Sequence, residues 1–153
     1  VRLHQWVKYA LIFVPAILSG TIANPTTVVA CVLSFVALGL VASGTYLIND
    51  LFDLSSDRRH WSKRFRPIAS GDLPIVLAIL SAVFAVAGGL AIGAAVGSGV
   101  FGRLAAYLML TLAYSLHIKR VPILDVVVLA ALFCLVVDEV SAIGVRFLLG
   151  FGM

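Results

Sequence analysis

Charged residues are scarce in this 153-residue sequence. Only 12% of positions are Asp, Glu, Lys or Arg, against 62% hydrophobic, and the mean hydropathy is +1.14. A soluble domain of this length needs many more polar side chains to cover its surface, so that class is excluded. Lipid tails remove the demand, and several apolar runs approach or exceed the ~20 residues that cross a hydrocarbon core. Cysteine is nearly absent: Cys31 and Cys134 sit in apolar segments, read as small packing residues, and offer no disulfide framework. The histidines, His4, His60 and His117, have no metal-ligand spacing. A glycine-rich nucleotide loop, a Ser-His-Asp order and a CxxC pair are all missing, as are internal repeats and low-complexity tracts.

What is present is a series of five hydrophobic segments, at about 6–22, 27–49, 73–96, 100–118 and 121–137. All are predicted helical, because backbone exposed to lipid must satisfy its own hydrogen bonds. Lys8 is near enough to the end of the first to snorkel to the interface. Pro74 falls in the first turn of the third and Pro122 opens the fifth, where a missing N–H costs little. The expected fold is an all-α, polytopic transmembrane bundle, one domain over 1–153, with residues from 142 onward able to begin a sixth span. Residues 1–24 have the basic and apolar layout of a signal peptide, but the spans that follow favour a retained helix. The sequence opens on valine, so the natural N-terminus is expected upstream.

Lys and Arg set the orientation. With five spans, one side carries Arg2, Lys8, Arg58, Arg59, Lys63, Arg64, Arg66, Lys119 and Arg120, and the other only Arg103 and Arg146. Nine against two predicts a multi-pass protein of the cytoplasmic membrane, with its N-terminus and the polar 50–72 loop cytoplasmic. The formal charge of +4 thus belongs to loops beside membrane lipids, and no nucleic-acid partner is expected. Gly89, Gly93 and Gly97, with Ala85 before them, form a small-residue stripe that lets a neighbouring helix approach closely. Packing within the chain is the plain reading and a dimer seam the sharper one.

The informative stretch is Asn49-Asp50-Leu51-Phe52-Asp53-Leu54-Ser55-Ser56-Asp57. At 100° per residue, Asn49, Asp50, Asp53 and Asp57 fall within an arc of about 100° if the second helix continues this far. Tyr46 lies on the same face, one turn deeper. Three carboxylates on one stripe repel each other, and two compensations are open: a divalent cation, or the arginines that follow. Hard oxygen ligands suit Mg²⁺, which takes one or two carboxylates plus substrate phosphates. The 58–67 segment supplies Arg58, Lys63, Arg64 and Arg66 for phosphate oxygens. An ordinary solvated loop, its aspartates paired with arginines, accounts for the basic residues. It does not explain why Asn49, Asp50 and Asp53 extend the face of a long apolar span, where ionisable groups are costly. Asp125 reads as a helix N-terminal charge beside Lys119 and Arg120, with a substrate contact as its rival role.

The Asn49-Asp50-x-x-Asp53-x-x-x-Asp57 pattern resembles the first aspartate-rich motif of the UbiA superfamily of intramembrane prenyltransferases. Gln5-Trp6-Val7-Lys8, the Lys63-to-Gly71 run KRFRPIASG and the Tyr114-to-Asp125 run YSLHIKRVPILD strengthen the match. Together they look most like the branch of decaprenyl-phosphate phosphoribosyltransferases, over about 2–135. The resemblance implies a helical bundle around a cavity, with two aspartate-rich motifs facing each other at the cytoplasmic side. Mg²⁺ bridges those motifs and a substrate diphosphate. In one version of the chemistry, diphosphate leaves a prenyl donor and an acceptor, often aromatic, attacks the allylic cation. In the other, a polyprenyl phosphate displaces diphosphate from a phosphoribosyl donor.

Carried onto this sequence, Asp50 and Asp53 become the central catalytic pair. Asp50, Asp53 and Asp57 become metal ligands, and Asn49 and Tyr46 substrate contacts. Lys8, Arg58, Lys63, Arg64, Arg66, Lys119 and Arg120 become phosphate contacts. Tyr9 stands where the branch has asparagine, and Trp61 where it often has proline. No second aspartate-rich motif precedes Met153, and the 138–141 stretch drifts from the pattern. The chain is therefore expected to supply the N-terminal half of the bundle, weakly active or inactive alone, with the C-terminal half as a partner. A non-catalytic truncated membrane fragment or subunit is the rival from a different class.

Overall fold

The computed structural model describes Phe13, Ile17, Ala23, residues 25–113 and Ser115. Among these every regular element is helical. Helix α1 runs Pro25–Phe52, α2 Leu54–Arg59, and a 3₁₀ turn covers Lys63–Phe65. Helix α3 is Pro67–Ser70, α4 Ile75–Val96 and α5 Ser98–Ala113. Helices α1, α4 and α5 correspond to the expected second, third and fourth segments. The expected spans at 6–22 and 121–137 lie outside the described residues, apart from Phe13 and Ile17, which are helical.

Two helices are long and apolar enough to cross a membrane: Val28–Phe52 within α1 and Ile75–Val96. At 1.5 Å rise per residue they measure about 38 and 33 Å, enough for a hydrocarbon core of about 30 Å. Helix α1 outruns its expected end at 49 and carries Asn49 and Asp50 inside its last turns. Pro74 sits at the N-cap of α4 rather than within its first turn. Its extended backbone (φ −56°, ψ 138°) ends the preceding loop, and Ala78 N–H closes the first helical bond onto its carbonyl. The expected 50–72 loop is ordered through α2, the 3₁₀ turn and α3.

Small residues decide how the helices pack. A Cβ added to Gly89 of α4 would lie 2.6 Å from Val41 Cγ2 and 2.7 Å from the Ala37 carbonyl oxygen on α1. One added to Gly44 of α1 would lie 2.6 Å from Val86 Cγ2 and 3.0 Å from the Ala82 oxygen on α4. The later glycine of one helix meets the earlier residues of the other, so α1 and α4 run antiparallel with their backbones close. Gly93 receives Leu104 of α5 at 2.5 Å from the same ideal position. The stripe at Gly89 and Gly93 is thus spent within the chain. Gly97 meets nothing within 4 Å and ends α4 instead.

The core formed this way holds Cys31, Ala37, Leu38, Val41 and Ala42 of α1 with Val100, Leu104 and Tyr107 of α5. Cys31 is a buried free thiol, as its apolar setting suggests, whereas Cys134 lies outside the described residues. Helix α4 touches this core with one side and turns Val76, Val83 and Phe84 outward. Helix α5 returns to the end of the bundle where α1 finishes. Gly89→Ala places a methyl against backbone that cannot rotate away, so a loss of about 1–3 kcal/mol is expected, read as a lower thermal unfolding midpoint in detergent. Gly97→Ala, on the same stripe but in open space, is expected to shift it little.

Candidate functional site: an aspartate stripe bridged by arginine

At the end of α1 the helix yields for one residue and then resumes. Asp53 occupies a turn (φ −86°, ψ −2°), yet its N–H bonds to the Asn49 carbonyl at 3.0 Å. Asp57 N–H in turn bonds to the Asp53 carbonyl at 2.8 Å. The spacing of four is preserved across the break, and the helical face continues from α1 into α2. His60, extended at φ −84° and ψ 130°, ends α2.

The chain then reverses through the 3₁₀ turn to Arg66, which is extended at φ −64° and ψ 142°. A residue before proline is driven out of the helical region by the ring, and Pro67 opens α3 with no N–H to strand. Gly71, at φ +89°, ends α3 in the left-handed region. That conformation suits glycine because a Cβ would meet the neighbouring carbonyl. Ile68, 2% exposed, pins α3 down, and the Arg58 Nε–H reaches the Ala69 carbonyl at 3.4 Å.

This return brings Arg66 over the aspartate stripe. Its Nη1 donates to Asp50 Oδ1 at 2.9 Å and to Asp57 Oδ2 at 2.7 Å. The Asp57 side chain is 1% exposed, Asp50 20% and Arg66 25%. Asp53 lies outside this bridge. Of the two compensations left open for the stripe, an arginine is the one displayed. Among the described residues no group of three His, Cys, Asp or Glu side chains has a metal-holding arrangement.

Beside the bridge lies a cavity of about 140 Å³. Ser43, Tyr46 and Asp50 line it from α1, and Pro67, Ile68 and Leu73 from the return segment. Tyr46 thus sits below Asp50 on the cavity wall, as its place one turn deeper implies. Asn49 is held from the side: the Ser115 hydroxyl donates to its Oδ1 at 2.7 Å. Ser115, 7% exposed, was not singled out from the sequence. The available signal was a hydroxyl where α5 arrives at the level of Asn49.

The other expected phosphate contacts are not gathered here. Arg59 turns its Nε to the Ser55 carbonyl at 3.1 Å, and Arg64 lies over the Phe65 ring at 4.9 Å. Arg58, Lys63 and Arg64 are exposed on the outer side of the loop. Lys8, Lys119, Arg120 and Asp125 lie outside the described residues.

The family model described as the UbiA prenyltransferase family matches residues 9–138. The chain belongs to the UbiA prenyltransferase family. It is 42% identical over 134 residues to the uncharacterized protein y4nM of Sinorhizobium fredii, covering 88% of this chain and 26% of that one. It is 35% identical over 138 residues to the decaprenyl-phosphate phosphoribosyltransferase of Corynebacterium glutamicum, covering 88% and 42%. Nodulation protein NoeC of Azorhizobium caulinodans is 36% identical over 132 residues, covering 86% and 43%. The chain therefore spans less than half the length of these UbiA-type relatives. The family is membrane-integral, which agrees with the two membrane-capable helices.

Removing Arg66 strands the buried Asp57 charge. Arg66→Gln is expected to lower stability by about 2–3 kcal/mol, less than for a fully buried pair because part of the guanidinium is in solvent. Asp57→Asn in the Arg66→Gln background is expected to restore most of that loss. Thermal unfolding of the three variants in detergent, read as a double-mutant cycle, checks both.

Proposed function

We propose that this chain forms the aspartate-bearing part of a UbiA-type membrane transferase, whose shared chemical step is departure of diphosphate from an activated donor. The observation that carries the reading is the meeting of Asp50, Asp57 and Arg66 beside a cavity at the end of a membrane-capable helix. Unpaired ionisable groups there would be costly, and such groups in membrane segments mark functional sites. The proposed setting is a multi-pass protein of the cytoplasmic membrane, with the 50–72 segment on the cytoplasmic side.

The donor set fits Mg²⁺ by its chemistry. Asp50 is a hard oxygen ligand facing the cavity, and Asp53 lies one turn along the same face. Mg²⁺ needs only one or two carboxylates when substrate phosphates complete its shell, so the lack of a three-carboxylate cage among the described residues is compatible with it. When bound, the ion would supply positive charge to the departing diphosphate. The protein's own groups orient and neutralise. Arg66 offers a planar cation to phosphate oxygens, and the Ser115 hydroxyl holds the Asn49 Oδ1 so that the amide N–H₂ is presented elsewhere. The apolar cavity wall of Pro67, Ile68 and Leu73 suits a hydrocarbon portion of a lipid substrate.

Two donors share this step. Prenyl transfer from a prenyl diphosphate to an acceptor follows from the family as a whole. Phosphoribosyl transfer from a phosphoribosyl diphosphate to a polyprenyl phosphate has a specific support: relatives from Corynebacterium glutamicum and Mycolicibacterium smegmatis, both 35% identical, carry that name. Binding of a prenyl diphosphate and of a phosphoribosyl diphosphate to the purified chain, with Mg²⁺ and with chelator, separates them. The donor that belongs here is expected to gain at least about tenfold in affinity with Mg²⁺. Asp53→Ala and the Asp50→Ala, Asp53→Ala pair are expected to abolish the gain. Equal affinity with Mg²⁺ and chelator for both donors would remove the metal-assisted reading.

A further inference from the structure

The third aspartate of the stripe is placed differently from the first two. Asp57 is 1% exposed, its Oδ2 is taken by Arg66, and its Oδ1 is buried with no hydrogen-bond partner among the described residues. Asp50, by contrast, is 20% exposed and lines the cavity. Mg²⁺ dehydrates reluctantly and keeps several waters, so its ligands must face a space that holds them. Asp50 meets that condition and Asp57 does not. The charge of Asp57 is instead compensated by one group, the guanidinium at 2.7 Å.

Arg66 makes both carboxylate contacts through Nη1 alone. Among the described residues, no hydrogen bond of its Nε or Nη2 is seen. Those two N–H groups form one edge of the guanidinium plane, and that edge matches two oxygens of a phosphate. An unanchored arginine loses considerable rotamer entropy on binding an anion; one already held through Nη1 loses less. The backbone assists, because the extended Arg66 is locked between the 3₁₀ turn and Pro67.

We infer that Asp57 is a positioning residue for Arg66 rather than a metal ligand, and that the Nε–Nη2 edge of Arg66 is a phosphate subsite able to bind diphosphate without metal. This deepens the proposed reading of the site and rests on it. It divides the stripe by task. Asp53 and the cavity-facing oxygen of Asp50 remain for the cation, while Asp57 sets the arginine that meets the anion.

The test uses the purified 153-residue chain in detergent, with inorganic diphosphate in chelator as the anion probe and Mn²⁺, followed by electron paramagnetic resonance, as the metal probe. Wild type is expected to bind diphosphate in chelator. Asp57→Asn is expected to weaken that binding by roughly tenfold, on the scale of one charge-assisted contact, and to leave Mn²⁺ affinity within about twofold. Arg66→Lys keeps the charge but not the planar edge. It is expected to show the same split, and it serves should Asp57→Asn fail to fold. Asp53→Asn is expected to do the reverse, losing Mn²⁺ and keeping metal-free diphosphate. Loss of Mn²⁺ in Asp57→Asn, with the fold intact, would overturn this inference alone, as would no diphosphate binding to wild type in chelator. Failure of wild type to bind Mn²⁺ and either donor would overturn the proposed function together with it.

Discussion

One guanidinium nitrogen holding two carboxylates is the contact on which the site depends. Asp50 and Asp57 are brought to the same face by helical spacing, and two like charges at that distance need a cation between them. Arg66 supplies it from 9 and 16 residues away in sequence. To reach them the chain must leave α2, reverse through the 3₁₀ turn and pass extended into Pro67. Each local feature serves that return: the extended His60, the backbone before proline, the left-handed Gly71 and the buried Ile68. The cavity is a consequence, since the return segment forms the wall opposite α1.

A second constraint sets where the site stands relative to the bundle. In lipid there is little hydrophobic gain from helix association, so packing relies on close backbone approach at small residues. Gly44, Ala82 and Gly89 give α1 and α4 that approach, and Gly93 makes room for Leu104 of α5. With those contacts in place, α5 finishes level with the end of α1, and the Ser115 hydroxyl can meet Asn49. The polar bond between two long helices is thus a product of apolar packing lower in the bundle.

The stripe of Asn49, Asp50, Asp53 and Asp57 was legible because helical periodicity is a local property, and the pause at Asp53 keeps the i to i+4 bonding. The apolar spans now seen as α1 and α4 were legible by length, and the family by its motifs. The compensation was not legible. A cation and an arginine satisfy the same electrostatic demand, and spacing cannot say which of Arg58, Lys63, Arg64 or Arg66 turns inward. Ser115 went unnoticed for a similar reason: its partner is 66 residues away, and a lone serine in an apolar run carries no periodic signal.

By itself, then, the sequence determined that the chain is helical and suited to a membrane, that its acidic groups share one helical face, and to which family it belongs. Those are properties of composition and of short-range geometry, set by the helix turn and by the cost of exposing polar backbone to lipid. Tertiary structure alone decided that Arg66 faces the aspartates while Lys63 and Arg64 face outward, that Asp57 is buried and Asp50 lines the cavity, and that Asn49 is held by Ser115. Burial and pairing depend on what the chain lays over a residue after it turns back, and no local pattern records that.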